Sequence, residues 1–424
     1  MFNPSRHRRL FSTSRALSAD GPLKGVKILD FSRILAGPYC SQVLADYGAT
    51  VTKVEQPGLG DETRSWAGSG EGAMWKKSES PNSLYFASVN RNKRSLTLNL
   101  KKPESKAIVK KLVENADVVL ENFIPGGADK LGIGYKALSA INPRLIYASL
   151  SGYGSSGPYA NRAGYDAIAA AEGGLMHITG HADSSPVRPG LGMTDMATGL
   201  YTHGAILAAL LSRQQTGKGQ HISSSLFETQ ISLLINVGSD WLNRGVEGKR
   251  YGAAHPSIVP YNTWKCADGT YLTVAANNQI QYEKLCKRIG RPELVQDERF
   301  ASNALRVQNR NAMEEIMAEV FAAKTADEWL ELLDGSGLAH GRVNTIQKAF
   351  EHPQIEPREM VKEMHCDALV DGKLKMVGPP VKFSETPGEI RTVAPQLGEH
   401  TMDILREAGY AQEEIEGFRK EGVV

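Results

Sequence analysis

Between residues 25 and 150 short apolar strands alternate with helical stretches, and this alternation narrows the fold more than anything else in the chain. Gly25-Val-Lys-Ile-Leu-Asp-Phe31 reads as a buried strand, and Gly37-Pro38 opens a helix that stops at Gly48. Residues Ala49–Glu55 and Ser95–Leu100 alternate apolar with polar, as half-buried strands do. Pro103–Ala116 is a helix with Pro at its start and Ile108, Leu112 and Val113 on one face. Asp117–Phe123 and Leu145–Leu150 are further strands. Strands separated by helices must pair in parallel through right-handed crossovers, so the expected fold class is α/β, a doubly wound parallel-sheet large domain.

The texture then changes. A long apolar helix spans Met196–Arg213, turn residues follow at Thr216-Gly-Lys-Gly219, and Phe227–Leu242 is a second apolar helix. Hairpins are expected with turns at Asp268-Gly269 and Asp371-Gly372, the first followed by helices over 279–289, 304–323 and 326–333. Residues 21–220 are read as the large domain and 221–330 as a smaller α+β domain with its linker. Residues 331–424 are read as a return segment completing the large domain.

The first twenty residues stand apart. Arg6, Arg8, Arg9 and Arg15 sit among four serines, and the first acid is Asp20. Such a leader predicts a mitochondrial transit peptide over 1–20 and a matrix location, with a mature start near Ala19. The longest apolar run, Ala205–Leu211, is far too short for a membrane span. A net charge of +2 gives no electrostatic case for nucleic acid or an anionic membrane as partner. Four scattered cysteines argue against a zinc site or a disulfide framework, and no metal is expected.

Few motifs carry chemistry by themselves. Gly152-Tyr-Gly-Ser-Ser-Gly157 matches a dinucleotide fingerprint formally, and Glu172 lies near the ribose-contact distance. Pro158 spoils the glycine-to-helix geometry, so a Gly-rich loop approaching some ligand is the better reading. The turn Ile34-Leu35-Ala36-Gly37-Pro38 follows the first strand at the sheet edge where ligands of such folds bind. Asn90-Arg-Asn-Lys-Arg94 is basic and is read either as solvated surface or as an anion site. Asp195 lies where the long helix begins. Taken alone it is a capping residue; its alternative role is an ionised carboxylate for acyl transfer. Asp166 has a similar structural reading, and His255 is a lone loop histidine.

Taken together, Arg33–Pro38, Gly48–Glu55, Asn90–Ser95, Val119–Phe123, Ser151–Gly154, Gly192–Gly199 and Leu397–His400 resemble, in order, the class III CoA-transferases. Within that family the resemblance runs to the branch that moves CoA from succinyl-CoA to glutarate or hydroxymethylglutarate. It implies a nucleophilic Asp195 and CoA contacts at Ile34, Leu35, Ala36, Asn122, Phe123, Lys130 and Tyr153. It implies no permanently bound cofactor, with the coenzyme A thioester as substrate, and an interlocked homodimer of ring-like subunits. Gln56-Pro57, Ser151 and Lys130 depart from the formyl-CoA branch of the family. A dicarboxylate acceptor needs a cation for its distal carboxylate, and Arg91, Arg94, Arg162 and His255 are the candidates. A reference Asp is ionised at neutral pH without tuning, as the nucleophile requires. Two rivals share these features: an acyl-CoA racemase, in which Asp166 would carry acid/base work, and a non-catalytic CoA- or nucleotide-binding module.

Overall fold

The computed structural model describes residues 21–76 and 82–424. The arginine-rich leader lies outside the described residues. Contacts divide the chain into two compact units. One comprises the chain up to Gly173 together with Gly190–Ile235 and Glu356–Val424; the other comprises Gly174–Pro189 and Asn236–Ile355.

The first unit is built on six parallel strands: β1 (Lys27–Asp30), β2 (Thr50–Glu55), β3 (Lys93–Thr97), β4 (Val118–Glu121), β5 (Ile146–Ser151) and β6 (His221–Ser225). Their order is β3-β2-β1-β4-β5-β6, so the chain winds outward from β1 in one direction and then from β4 in the other. The α/β doubly wound expectation therefore holds. The switch point between β1 and β4 is where such sheets bind ligands.

Period-two side-chain alternation sends neighbouring residues to opposite faces, and both faces are apolar. Ile28, Val51, Val118, Ile146 and Ala148 enter one core with helices α1 (Ala36–Asp46) and, further along, Met193–Thr216. Leu29, Val54, Leu96, Val119 and Tyr147 enter the other with α2 (Pro103–Val113). Ile404, Leu405 and Ile415 join this second core, so the C-terminal helices close the same sheet.

Three helices complete the site-bearing part: α3 (Asp166–Glu172), α4 (Met193–Thr216) and α5 (Leu226–Leu233). Helices α1 and α4 touch because Gly199 has no side chain; a Cβ there would lie 2.6 Å from the Ala36 carbonyl oxygen.

Three sequence expectations are corrected. The third strand begins at Lys93 rather than Ser95, so the basic run enters the sheet instead of preceding it. The polar stretch His221–Ser225 is an edge strand paired with β5, which carries the first unit past residue 220 to Ile235. Its alternation is of serines, so hydrophobic patterning gives no signal for it. The expected Phe227–Leu242 helix is two, Leu226–Leu233 and Ile235–Arg244, with Ile235 at φ +34° opening the second.

The second unit holds an antiparallel sheet of β7 (Tyr261–Lys265), β8 (Tyr271–Ala275) and β9 (Ala339–Arg342). Its core centres on Trp264 stacked 4.9 Å from Phe321, with Trp329 edge-on. Because β9 pairs with β8, this unit runs to Ile355 rather than to 330. It also takes in 174–189, an excursion that the sequence reading kept in the large domain.

Candidate active site

At the switch point the β1–α1 turn is bent tightly. Ile34 has φ +73°, a left-handed conformation that a β-branched side chain adopts only at a cost. The surroundings hold it there. Both oxygens of Asp61 accept from the Ile34 amide at 3.2 Å. Asn122, just past β4, clasps Arg33 at two points: its Oδ1 accepts from the Arg33 amide at 3.0 Å and its Nδ2 donates to the Arg33 carbonyl at 2.8 Å. Beyond the turn α1 starts at Ala36 with Leu35 as its cap residue and no side-chain cap, so its first amides face outward with the positive end of the helix dipole.

Beneath the turn lies a buried charge lattice. Lys53 Nζ pairs with Asp61 at 2.9 Å and donates to the Ser32 carbonyl at 2.8 Å. Lys93 Nζ pairs with Asp30 at 3.2 Å and also donates to Asn90 Oδ1 and the Pro38 carbonyl. Ser32 and Ser41 donate to the two Asp30 oxygens. Burial alone would raise the Asp30 pKa, but Lys93, Lys53 and the two hydroxyls overcome it and hold it below the ordinary value. Burial pulls Lys93 down to about 8, so this pair is charged on both sides at neutral pH. Arg64 and Glu55 pair alongside, with 2.8 Å contacts from Nε and Nη2. Three cations and three anions balance, as buried charges must.

The turn, the start of the β4–Gly127 loop and the β5 exit enclose a cavity of about 440 Å³, within the range of small-molecule sites. Ile34, Leu35, Ala36, Asn122, Phe123, Arg162 and Asp195 all line it. Lys130 and Tyr153 are absent from its wall. Lys130 is exposed at the end of the short helix Gly127–Lys130, and the Tyr153 hydroxyl donates to Glu172 at 2.8 Å.

Asp195 is the third residue of α4, not its cap. The cap position is Gly192, which has no side chain to offer; a Cβ there would come within 2.9 Å of Leu35. Asp166, at the first position of α3, caps α4 instead. Its Oδ1 accepts from the Thr194 amide at 2.9 Å and from the Asp195 amide at 3.2 Å. Sequence reading offered a structural role for both aspartates and could not show that Asp166 caps the other's helix, because a cap from a distant helix leaves no local signature. The consequence is chemical: no hydrogen bond or ion pair to the Asp195 carboxylate exists among the described residues. Burial, then the charge of Asp166, pushes its pKa up to about 7. The expectation that it is ionised without tuning is therefore corrected; burial and a like charge outweigh the helix dipole.

The four acceptor-side candidates fare unequally. Only Arg162 reaches the cavity wall. Arg91 is buried and spends its guanidinium on Asp46, with Nε at 3.0 Å and Nη2 at 2.7 Å, and on the Val377 carbonyl. Arg94 forks onto Glu407 at 2.7 and 2.8 Å. Both cations are already neutralised and neither lines the cavity. His255 belongs to the second unit, where it stacks on Tyr261 and its Nδ1 accepts from the Ser257 amide. The racemase reading loses ground as well, since the Asp166 oxygen that faces α4 is occupied by two amides.

Among the described residues no cluster of His, Cys, Asp and Glu could hold a metal ion, and no helix is long and apolar enough to cross a membrane. All four cysteines are buried and free.

Known proteins agree with this arrangement. The family model for CoA-transferase family III matches residues 23–401. An acyl-CoA transferase of Fusarium pseudograminearum is 51% identical over 96% of this chain and 90% of its own. Succinyl-CoA:glutarate CoA-transferase of Mus musculus is 44% identical over 95% of this chain and 90% of its own. The crystal structure of a CAIB/BAIF family protein from Brucella suis superposes with a TM-score of 0.81 at 40% identity, covering 92% of this chain and all of that one. With the switch-point cavity, the ordered motifs and this full-length likeness in hand, the chain belongs to CoA-transferase family III.

Proposed function

We propose that this enzyme transfers CoA from succinyl-CoA to glutarate or hydroxymethylglutarate, with Asp195 as the covalent centre. One observation carries the reading: a carboxylate on the wall of the switch-point cavity is left without donors because Asp166 does the capping in its place. The names of relatives from Mus musculus and Homo sapiens, both succinyl-CoA:glutarate CoA-transferases, support the substrate pair.

An oxygen of Asp195 attacks the thioester carbonyl carbon. The C–S bond breaks, giving a mixed aspartyl anhydride and CoA thiolate. The thiolate then attacks the Asp195 carbonyl carbon, the anhydride C–O bond breaks, and succinate leaves behind an aspartyl-CoA thioester. The acceptor carboxylate repeats the two steps in reverse and regenerates the free carboxylate. Two modest barriers replace one high one. The thioester oxygen gains negative charge in the attack, and the outward amides at the start of α1 suit that charge. Ile34, Leu35, Ala36, Asn122 and Phe123 hold the coenzyme; the Asn122 amide is committed to Arg33, so its contribution is the shape of the wall. Lys130 and Tyr153 are assigned to the outer part of the coenzyme's path.

The test is to incubate the protein with succinyl-CoA and a panel of dicarboxylates and to read the product thioesters by mass spectrometry. Glutaryl-CoA or hydroxymethylglutaryl-CoA is expected, and its loss in Asp195→Ala. Substantial transfer by that variant would overturn the mechanism. We further propose a homodimer, measurable by sedimentation equilibrium, and a mitochondrial matrix location on the strength of the leader's composition, measurable by import into isolated mitochondria.

A further inference from the structure

Two cations line the cavity wall, Arg33 and Arg162, and neither is free; Arg33 Nη1 pairs with Glu62 at 2.6 Å. Arg162 Nη2 lies 3.3 Å from Glu172 Oε1, and the Tyr153 hydroxyl donates to the other Glu172 oxygen at 2.8 Å. Arg162 also stands over the Tyr159 ring at 4.6 Å and the Tyr153 ring at 5.6 Å. The loop carrying it, residues 152–164, is pinched shut at its base. A Cβ on Gly152 would lie 2.6 Å from the Gly164 Cα, so the two glycine backbones are in direct contact. The Gly152 carbonyl in turn accepts from the Phe227 amide at the start of α5. The clasp thus brings the Arg162 guanidinium to the wall and ties it to one carboxylate at the end of α3.

The tie is of a replaceable kind. It is a single N···O contact rather than a fork, and the two side chains are 50% and 35% exposed. Pairs of that sort contribute little, whereas a bidentate guanidinium–carboxylate pair is the stronger and more specific geometry. The aromatic rings fix the guanidinium plane whether or not Glu172 is engaged.

We propose that Glu172 is a built-in stand-in for the second carboxylate of a dicarboxylic substrate: it neutralises Arg162 in the empty site and is displaced when a dianion enters. This inference rests on the acyl-CoA:dicarboxylate reading above. The site then presents a neutral wall to an acid with an uncharged tail, which gains nothing by competing with Glu172. Only a tail that is itself a carboxylate exchanges one ion pair for a better one. Glu172 acts through Arg162 and is a positioning residue; Arg162 contacts the substrate and sets specificity.

The experiment compares glutarate with its mono-amide, glutaramate, which has nearly the same shape and one charge fewer. The readout is the ratio of their kcat/KM values as acceptors from succinyl-CoA. In Glu172→Gln the glutarate KM should fall about threefold with kcat little changed, because a weak competitor of roughly that strength is gone. Glutaramate should be unaffected. In Arg162→Gln the ratio should collapse by about tenfold or more, since the fork that reads the second carboxylate is lost. A Glu172→Gln variant with an unchanged or raised glutarate KM overturns the stand-in, and so does an Arg162→Gln variant that still discriminates. Calorimetric titration of glutarate into Asp195→Asn and into Asp195→Asn/Glu172→Gln separates this from the reaction itself. Tighter binding in the double variant without wild-type turnover would sink the reaction and keep the stand-in. Wild-type turnover with equal binding would sink the stand-in alone.

Discussion

Asp30, fully buried, and Asp195, half-buried, are carboxylates beside the same turn, and the protein treats them oppositely. Asp30 sits under the sheet edge with Lys93 and Lys53 around it and hydroxyls on both oxygens. Asp195 sits on the cavity wall with no protein donor among the described residues and with the charge of Asp166 adding to its burial. One pKa is held below the ordinary value and the other is raised to about 7. Burial costs the same in kind in both places; what differs is whether the fold supplies cations. A satisfied carboxylate is scaffolding, and an unsatisfied one stores the free energy that makes it reactive.

The comparison is broken most directly at its reactive side. Asp195→Ala should lower CoA transfer by about 10⁴-fold or more, as removal of a covalent nucleophile does, measured by steady-state product thioester. On the structural side, Lys93→Met leaves Asp30 buried with one cation fewer. It should cost about 3–5 kcal/mol, read from denaturant unfolding, whereas transfer per folded molecule should change far less.

Next in size is a stability effect of opposite sign. The Asp195 pKa is raised in the fold from 3.8 to about 7. The native chain therefore keeps a proton that the unfolded chain has released, and stability falls as pH rises from about 4 to about 7. Asp195→Asn removes that loss, so it should stabilise by roughly 1–3 kcal/mol at pH 8, discounted for partial exposure, and by little near pH 4. Equal stabilisation at both pH values would mean that charge is not the cause. Asp30 runs the other way: its lowered pKa contributes stability above 3.8 that is lost as pH falls through its folded value.

The smallest effects sharpen the link between the two aspartates of the site. The kcat/KM profile should show an acidic limb near pH 7 from the free enzyme. Asp166→Asn removes the like charge and should move that limb to lower pH. The same change weakens the α4 cap by about 1 kcal/mol, read as a drop in Tm. A limb that stays in place would separate Asp166 from the tuning of Asp195.

The parallel sheet was legible because strand and helix periods alternate cleanly from Gly25 to Leu150, and Asp195 stood out through ordered motifs. The cavity-lining turn at Ile34–Ala36 reads locally as an ordinary βα loop as readily as a ligand contact, and only the ordered motifs singled it out. Three things were not legible. The edge strand His221–Ser225 carries no hydrophobic signal. The 90–94 run looks like surface, because nothing local shows that Asp46 and Asp30 come to meet Arg91 and Lys93. The capping of α4 by Asp166 is a contact across 28 positions, which no local pattern encodes.

That same contact says something about how the chain tolerates change. Asp166 and Asp195 are joined to each other through the start of α4, yet between them the chain leaves the first unit at Gly173 and re-enters it at Gly190. These two aspartates thus flank a splice junction whose ends are pinned by hydrogen bonds. Lengthening, shortening or rewriting residues 174–189 need not disturb it.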